Sequence, residues 1–458
     1  MTSEVRKLSG PQLAVWVACV LALFSWSDTT SAAEDISPRP SIVVITVDAL
    51  RADRLSCYGY ARVTSPEIDR LVSNGTRFIS ARTVVPLTNP ALASMLTSTA
   101  PHRHGATRNG LRMQTGLPSL PRRLEKHGWQ TAAFVSNWTL KDNLSRLGEH
   151  FQHYEEVLTR RRWLGLFNRE ATGEDVTKQA LTWLRHHHRA LPEQPVFLWT
   201  HYVEPHAPYR YQQRSGRALG IREATAQRSD RYDTEVHTAD RHIGELLHGL
   251  EELVDRRNLL IVFTADHGES LGEHDYWGHG RHLYEPSLHI PMAVIWPGRI
   301  EPGTLHDPAV ITDVAPTILD LVGVDAPSGF RGTSWAGPLT GGAPVSPASR
   351  CFQAQKGAVK LKHDSDRARS RGLLEVGVIN GSLKEILEVR GNRRHIVFDL
   401  AKDPAELTNI APEGGDPSDA LMECFGEITT GLGALDRLST SRLSEDDREQ
   451  LRALGYLE

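Results

Sequence analysis

The sequence predicts an α/β fold: a large, mostly parallel sheet sandwiched by helices, followed by a small C-terminal α+β domain. Three observations carry this. A continuous β-branched run, Ser41–Val47, and a largely apolar one, Leu259–Ala265, read as buried strands of a parallel sheet, and each runs into an aspartate, Asp48 and Asp266. Strand-like and helix-like segments alternate between these runs and on to residue 296. From about Gly337 the composition changes to Gly, Pro and Ser, and then to short alternating segments. A chain of 458 residues is long enough for one large domain and a smaller one.

Taken in order, the first element is an export signal over residues 1–33. Arg6 and Lys7 precede an apolar run from Leu13 to Trp26, and Ser31-Ala32-Ala33 has the small residues of a cleavage site. The run is well short of the ~20 residues a membrane span needs. The mature chain is therefore expected to be periplasmic or extracellular, touching a membrane only if this segment stays uncleaved. A catalytic domain is expected over 38–336. Within it, helices are predicted over 66–74, 117–127, 173–189 and 231–254, and strands over 41–47, 130–136, 195–201, 259–265 and 290–296. A small antiparallel sheet is expected over 350–430, with strand segments at 373–379 and 387–389 and a loop at 414–419. A charged helix over 443–454 fills the terminal region 440–458.

A net charge of −4 is small for this length and gives no field for nucleic acid. Four cysteines include Cys19 in the signal, which leaves Cys57, Cys351 and Cys424 without metal-type spacing. A Cys351–Cys424 disulfide and buried thiols both fit. The count of 21 histidines favours a metal or phosphoryl site.

The chemistry is expected at the strand ends. Ligands of open α/β sheets bind where strands end, and a parallel sheet can bring Asp48 and Asp266 together. His267 follows Asp266 directly, and Gly268 would let the backbone turn sharply after it. Two carboxylates and an imidazole suit a divalent cation. A loop-capping role for Asp48 is the alternative. Asp240, within the long helix, reads as structural.

Several segments together resemble the sulfatase family of the alkaline-phosphatase superfamily. They are Val43 to Gly59, Pro86 to Thr97, Pro101-His102-Arg103-His104-Gly105, His201 to Tyr209, Phe263 to Glu269, Trp277-Gly278-His279-Gly280, Tyr284 to Pro291, Ile311 to Thr317, and Phe398 to Pro404 with Glu406, Thr408 and Asn409. The resemblance spans nearly everything after the signal. It implies an alkaline-phosphatase/sulfatase-like fold, and a metal site at Asp48, Thr88, Asp266 and His267 holding one divalent ion, Ca, Mn or Zn.

The departures matter as much. The family carries Cys or Ser, oxidised to formylglycine, where this chain has Thr88, and Arg where it has Leu92; Pro90 is kept. Val47 and His267 replace a family aspartate and asparagine. Ser136-Asn137-Trp138-Thr139-Leu140 lacks the Lys and His that grip sulfate. Formylglycine chemistry is thus not expected. A set of Asp, Thr, Asp and His resembles that of phosphoethanolamine and glycerophosphate transferases, which use the threonine oxygen as nucleophile. Thr88 precedes a predicted helix with Pro90 in its first turn, so a helix N-terminus faces the reacting anion; an N-cap role for Thr88 is compatible. His206 and His279 are candidates to bind the transferred group or protonate the leaving oxygen. Arg108 and Arg281 are candidates to neutralise its charge.

The expectation is an exported, metal-dependent hydrolase of sulfate or phosphate esters with a Thr88 nucleophile, acting on a sulfated or phosphorylated small molecule or glycan. The alternatives are a phospho-group transferase, or a catalytically weak protein that binds sulfated or phosphorylated glycans.

Overall fold

β1 (Ser41–Val47) is buried at every position but its first, as its β-branched run requires. In the computed structural model it lies near the middle of an eight-stranded sheet. The structure describes residues 39–160, 168–170, 172–345, 350–355, 372–390, 393–412, 415–436 and 449. The expected export signal and the helix at 443–454 fall outside these, apart from Glu449 in helical conformation.

The other strands of this sheet are β2 (Thr76–Phe78), β3 (Gln130–Val135), β4 (His153–Glu156), β5 (Val196–Tyr202), β6 (Leu259–Ala265), β7 (Met292–Ile295) and β8 (Gly303–Leu305). Their spatial order is β8-β2-β7-β6-β1-β5-β3-β4. β6, β1, β5, β3 and β4 run parallel. β7 runs antiparallel to both β6 and β2, and β8 is parallel to β2. The predicted strand over 290–296 is therefore present but reversed and shorter. β2, β4 and β8, of three or four residues each, are too short to show a period in the sequence.

The helices begin and end within a few residues of their expected bounds: α1 (Pro66–Val72), α3 (Leu120–Glu125), α4 (Gly173–Ala190) and α5 (Arg228–Glu251). α3 starts later than expected because Ser119 is its N-cap, its Oγ accepting the Arg122 N–H. Asp240 of α5 is structural as expected: its carboxylate accepts the N–H groups of Glu67 and Ile68 at the start of α1, at 3.2 and 2.8 Å. α2 (Thr88–Thr97) is buried on every side. Ser94 and Thr97 suit that interior because their hydroxyls donate to the Pro90 and Ala93 carbonyls. α6 (Val314–Leu321) packs nearby.

The C-terminal part forms a four-stranded antiparallel sheet in sequential order: β9 (Arg350–Gln355), β10 (Leu373–Asn380), β11 (Leu383–Glu388) and β12 (His395–Asp399). The segment expected at 387–389 is the end of the longer β11. α7 (Asp419–Leu435), which the sequence reading did not anticipate, covers this sheet through Leu421, Ile428, Leu432 and Leu435 against Leu373, Val376, Val378 and Leu387. The expected loop at 414–419 ends at Ser418, the N-cap of α7. Cys351 of β9 and Cys424 of α7 are disulfide-bonded, with Cα atoms 5.6 Å apart; Cys57 is free.

Candidate active site

Parallel register places four polar residues together. Val47 is level with both Tyr202 and Ala265, and Val135 is level with His201. Asp48, Asp266, His201 and Asn137 therefore meet at the C-terminal edge of four adjacent strands. The turn after β1 is tight. Ala49 takes a left-handed conformation (φ 55), rare for a residue with a Cβ. Two bonds hold it there: its N–H donates to Asp266 Oδ1 at 3.1 Å, and its carbonyl accepts from the Tyr232 hydroxyl at 2.8 Å. The His267 N–H also donates to Asp266 Oδ1, at 2.7 Å. This fixes one carboxylate oxygen and turns the other inward. Gly268 is needed because a Cβ there would collide with the Pro286 carbonyl, rather than for a positive φ.

Thr88 is the first residue of α2, and its side chain makes no capping bond. The expected N-cap role does not appear. Leu87 is the N-cap, and Asn109 Oδ1 accepts the Asn89 N–H at 3.0 Å in the cap's place. Thr88 Oγ1 is left facing His267 Nε2 at 3.4 Å. That nitrogen also lies 3.4 Å from Asp266 Oδ2 and 3.7 Å from Asp48 Oδ1. The structure thus brings Asp48, Thr88, Asp266 and His267 together.

Hydrogen bonds assign the ring protons. His267 Nδ1 lies 2.8 Å from the Gly268 carbonyl, so Nδ1 carries the proton and Nε2 presents a lone pair inward. Thr46 Oγ1 donates to the Thr200 carbonyl, so His201 Nδ1, 2.9 Å from that oxygen, donates to it. His201 Nε2 then turns a lone pair toward Asp48 Oδ2 at 3.6 Å. Asn137 Nδ2 donates to the same Asp48 oxygen.

Two carboxylates and two imidazole lone pairs thus face one another in full burial. Asp48 Oδ1, Asp266 Oδ2 and His201 Nε2 have no hydrogen-bond partner among the described residues. Asp48, His201 and Asp266 present ligand atoms within 4.8 Å of one another. Burial, and then the Asp48 charge, push Asp266 well above the usual carboxylate range. Burial would raise Asp48 as well, but the neighbouring histidines, His206 first, hold it low. Burial and the neighbouring His279 push His267 well below the usual imidazole range, which keeps it neutral. A buried excess of negative charge with inward lone pairs fits a divalent cation. Oxygen donors with imidazole nitrogen suit Ca, Mn or Zn.

The rim holds the two other histidines. The His279 ring is 4.2 Å from that of His267 and 5.2 Å from that of His206, centre to centre. His279 Nδ1 is 3.0 Å from Glu269 Oε1, and His206 Nδ1 is 2.8 Å from the Ala207 carbonyl. Both therefore carry the proton on Nδ1. Arg108 is buried and directly precedes Asn109, whose Oδ1 caps the start of α2. Arg281 is exposed, and the structure gives it no described partner at the cluster.

The sequence reading did not single out His201, Asn137 or Glu269. One signal for His201 was present: it is a polar residue near the end of Val-Phe-Leu-Trp-Thr-His-Tyr, an otherwise strongly apolar strand buried throughout.

Comparisons with known proteins agree with this architecture. Residues 40–324 match the Sulfatase family model, and residues 272–417 match the model described as N-sulphoglucosamine sulphohydrolase, C-terminal. The chain belongs to the sulfatase family and is a sulfatase-family ester hydrolase. It is 24% identical over 410 residues to an N-acetylglucosamine-6-O-sulfatase of Bacteroides thetaiotaomicron, covering 69% of this chain and 73% of that one. It is 23% identical over 462 residues to a choline-sulfatase of Rhizobium meliloti, covering 85% and 86%. Among solved structures, one in complex with its substrate D-glucosamine-2-N,6-O-disulfate superposes with a TM-score of 0.69 at 20% identity, covering 87% of this chain and 99% of that one. The phosphonate monoester hydrolase of Agrobacterium radiobacter gives 0.66 at 19% identity, covering 87% and 96%.

Proposed function

We propose that this member of the sulfatase family is an exported, metal-dependent hydrolase that cleaves sulfate or phosphate esters of a small polyhydroxylated alcohol or glycan through a Thr88 nucleophile. The observation that carries the proposal is Thr88 Oγ1 at the start of α2, 3.4 Å from His267 Nε2, among inward-facing atoms of Asp48, Asp266 and His201 that lack partners. Asp48, Thr88, Asp266 and His267 would hold the ion, with His201 a further donor. A divalent ion held there would lower the pKa of the threonine hydroxyl and polarise an ester oxygen.

The protein's own residues supply the rest. Deprotonated Thr88 Oγ1 forms a bond to sulfur or phosphorus, and the bond from that atom to the alcohol oxygen breaks. The Thr88 hydroxyl proton leaves to solvent, and the departing oxygen takes a proton from His279 or His206, which line the rim and can act as the acid only in the imidazolium form, with Nε2 as well as Nδ1 protonated. The N-terminus of the wholly buried α2 favours the negative charge that develops. Water then cleaves the covalent ester and regenerates the threonine. Two observations bear on sulfate versus phosphate: Asn137 bonds to Asp48, and Leu92 is wholly buried inside α2, at positions where the sulfatase resemblance implies a sulfate-gripping Lys and an Arg.

The sugar-sulfate relatives support a glycan-type alcohol. Export is supported by the N-terminal apolar run and by the Cys351–Cys424 disulfide, since such bonds persist in oxidising compartments. The test is a panel of aryl and sugar sulfates, phosphates and phosphonates, run with added Ca, Mn or Zn on the wild type and Thr88→Ala. Turnover by the wild type that Thr88→Ala abolishes is expected. Full turnover by Thr88→Ala would overturn the mechanism.

A further inference from the structure

β9 is stitched directly to both catalytic segments. Its Gln353 N–H donates to the Val84 carbonyl at 3.0 Å, four residues before Thr88. Its Gln355 N–H donates to the Gly280 carbonyl at 3.1 Å, immediately after His279. Cys351 and Gln353 alternate along the strand and so share one face, and the register shifts between Ala354 and Gln355. The disulfide to α7 anchors the first of them.

Gln353 and Gln355 are about 2% and 1% exposed, and none of their four side-chain amide atoms has a hydrogen-bond partner among the described residues. Buried amides are almost always satisfied, and each orphan is costly. Gln353 has a nearby remedy, since it adjoins His102, whose Nδ1 is also without a partner. The neighbour of Gln355 among the described residues is a guanidinium. Gln355 Oε1 lies 2.7 Å from where a Cβ on Gly372 would sit, and Arg108 Nη1 lies 3.9 Å from the same point. A neutral amide that can donate and accept thus shares the neighbourhood of Gly372 with a guanidinium, on a strand whose backbone bonds to the residue after His279.

We infer that Gln355 reads the alcohol part of the ester. Its amide pairs with ring hydroxyls of a sugar ester, and Arg108 supplies the adjoining positive charge. This deepens the proposed function and rests on it for the identity of the bound molecule. It makes the small sheet part of the specificity apparatus rather than a cover alone.

The test compares glucose 6-sulfate and glucose 6-phosphate with 4-nitrophenyl sulfate and phosphate, for wild type, Gln355→Leu and Gln355→Glu. Leu removes both polar atoms at similar size, and Glu keeps the accepting oxygens. The ratio of kcat/KM for sugar over nitrophenyl ester should fall about tenfold in Gln355→Leu, mostly through KM, with partial recovery in Gln355→Glu. Tm should hold or rise in Gln355→Leu, because a buried orphan is removed. In a Thr88→Ala background, calorimetric binding of glucose 6-sulfate should weaken by the same factor. An unchanged ratio, or equal losses on both ester classes, would show that Gln355 is structural and overturn the inference. Failure of glucose 6-sulfate and glucose 6-phosphate to bind in any background would do the same. Gln355-dependent binding without turnover by the wild type would sink the hydrolase reading and leave the Gln355 assignment standing.

Discussion

Two groups of buried acids in this molecule look alike in burial and differ in what surrounds them. On α5, Asp233 is bound by Arg54, Arg62 and the Tyr60 hydroxyl, and Asp240 accepts two backbone N–H groups of α1. At the edge of the sheet, Asp48 and Asp266 each keep an oxygen with no partner among the described residues, facing the His267 Nε2 lone pair. The first group is satisfied and holds helices together. The second presents unmet inward valences that a cation would satisfy. Burial of a carboxylate therefore does not mark a site; burial with an unmet inward valence does.

The largest effect that would sharpen this contrast is at the sheet edge. Asp48→Asn or Asp266→Asn should lower turnover by about 1,000-fold or more. In metal-free protein either change should leave Tm unchanged or higher, because it relieves charge repulsion. A fall in Tm on the scale of the α5 variants would erase the distinction. Chelation should likewise abolish turnover, reversibly on adding back Ca, Mn or Zn.

The converse change lies on α5. Asp233→Ala strands Arg54 and the Tyr60 hydroxyl and should cost about 3 kcal/mol by denaturant titration. Metal content should not change. Loss of metal from Asp233→Ala without loss of stability would show that the two regions are not separate.

Smaller in practice is the disulfide. It closes a loop with a sequence separation of 73, for which chain entropy allows up to about 4 kcal/mol. Reduction, or Cys351→Ser with Cys424→Ser, should lower Tm and loosen β9. Sugar esters should suffer more than nitrophenyl esters if β9 reads the alcohol.

The smallest effect concerns pH. Burial pushes Glu235 up to about 8, although its carboxylate accepts the Arg210 N–H beside the His206 loop. A folded-state pKa above the unfolded value means the folded protein keeps a proton that the unfolded chain releases. Stability from this group is therefore full below about pH 4 and lost as pH rises toward 8. Glu235→Gln should flatten the decline in Tm between pH 5 and 8, and an unchanged slope would contradict the assignment.

Much of this was legible in the sequence, for identifiable reasons. Ser41–Val47 and Leu259–Ala265 announce central parallel strands because burial on both faces leaves no alternation, and their terminal aspartates mark the site. His201 was hidden because it lies inside a strand, where one polar residue reads as noise until the register sets it beside Asp48. Gln355 was hidden because β9 pairs with loops far away in sequence. α7 was missed because its apolar face becomes meaningful only against the small sheet. Arg281 was singled out by its place in a motif, and the structure leaves it exposed.

The central claim is that Thr88 is an unmodified threonine that carries the transferred group. Rapid acid quench during turnover, followed by peptide mass spectrometry, tests it directly. The account predicts a Thr88 peptide of unmodified mass at rest, gaining about 80 Da during turnover, the mass of a sulfuryl or phosphoryl group. An adduct on another residue, or turnover by Thr88→Ala at the wild-type rate, would contradict it.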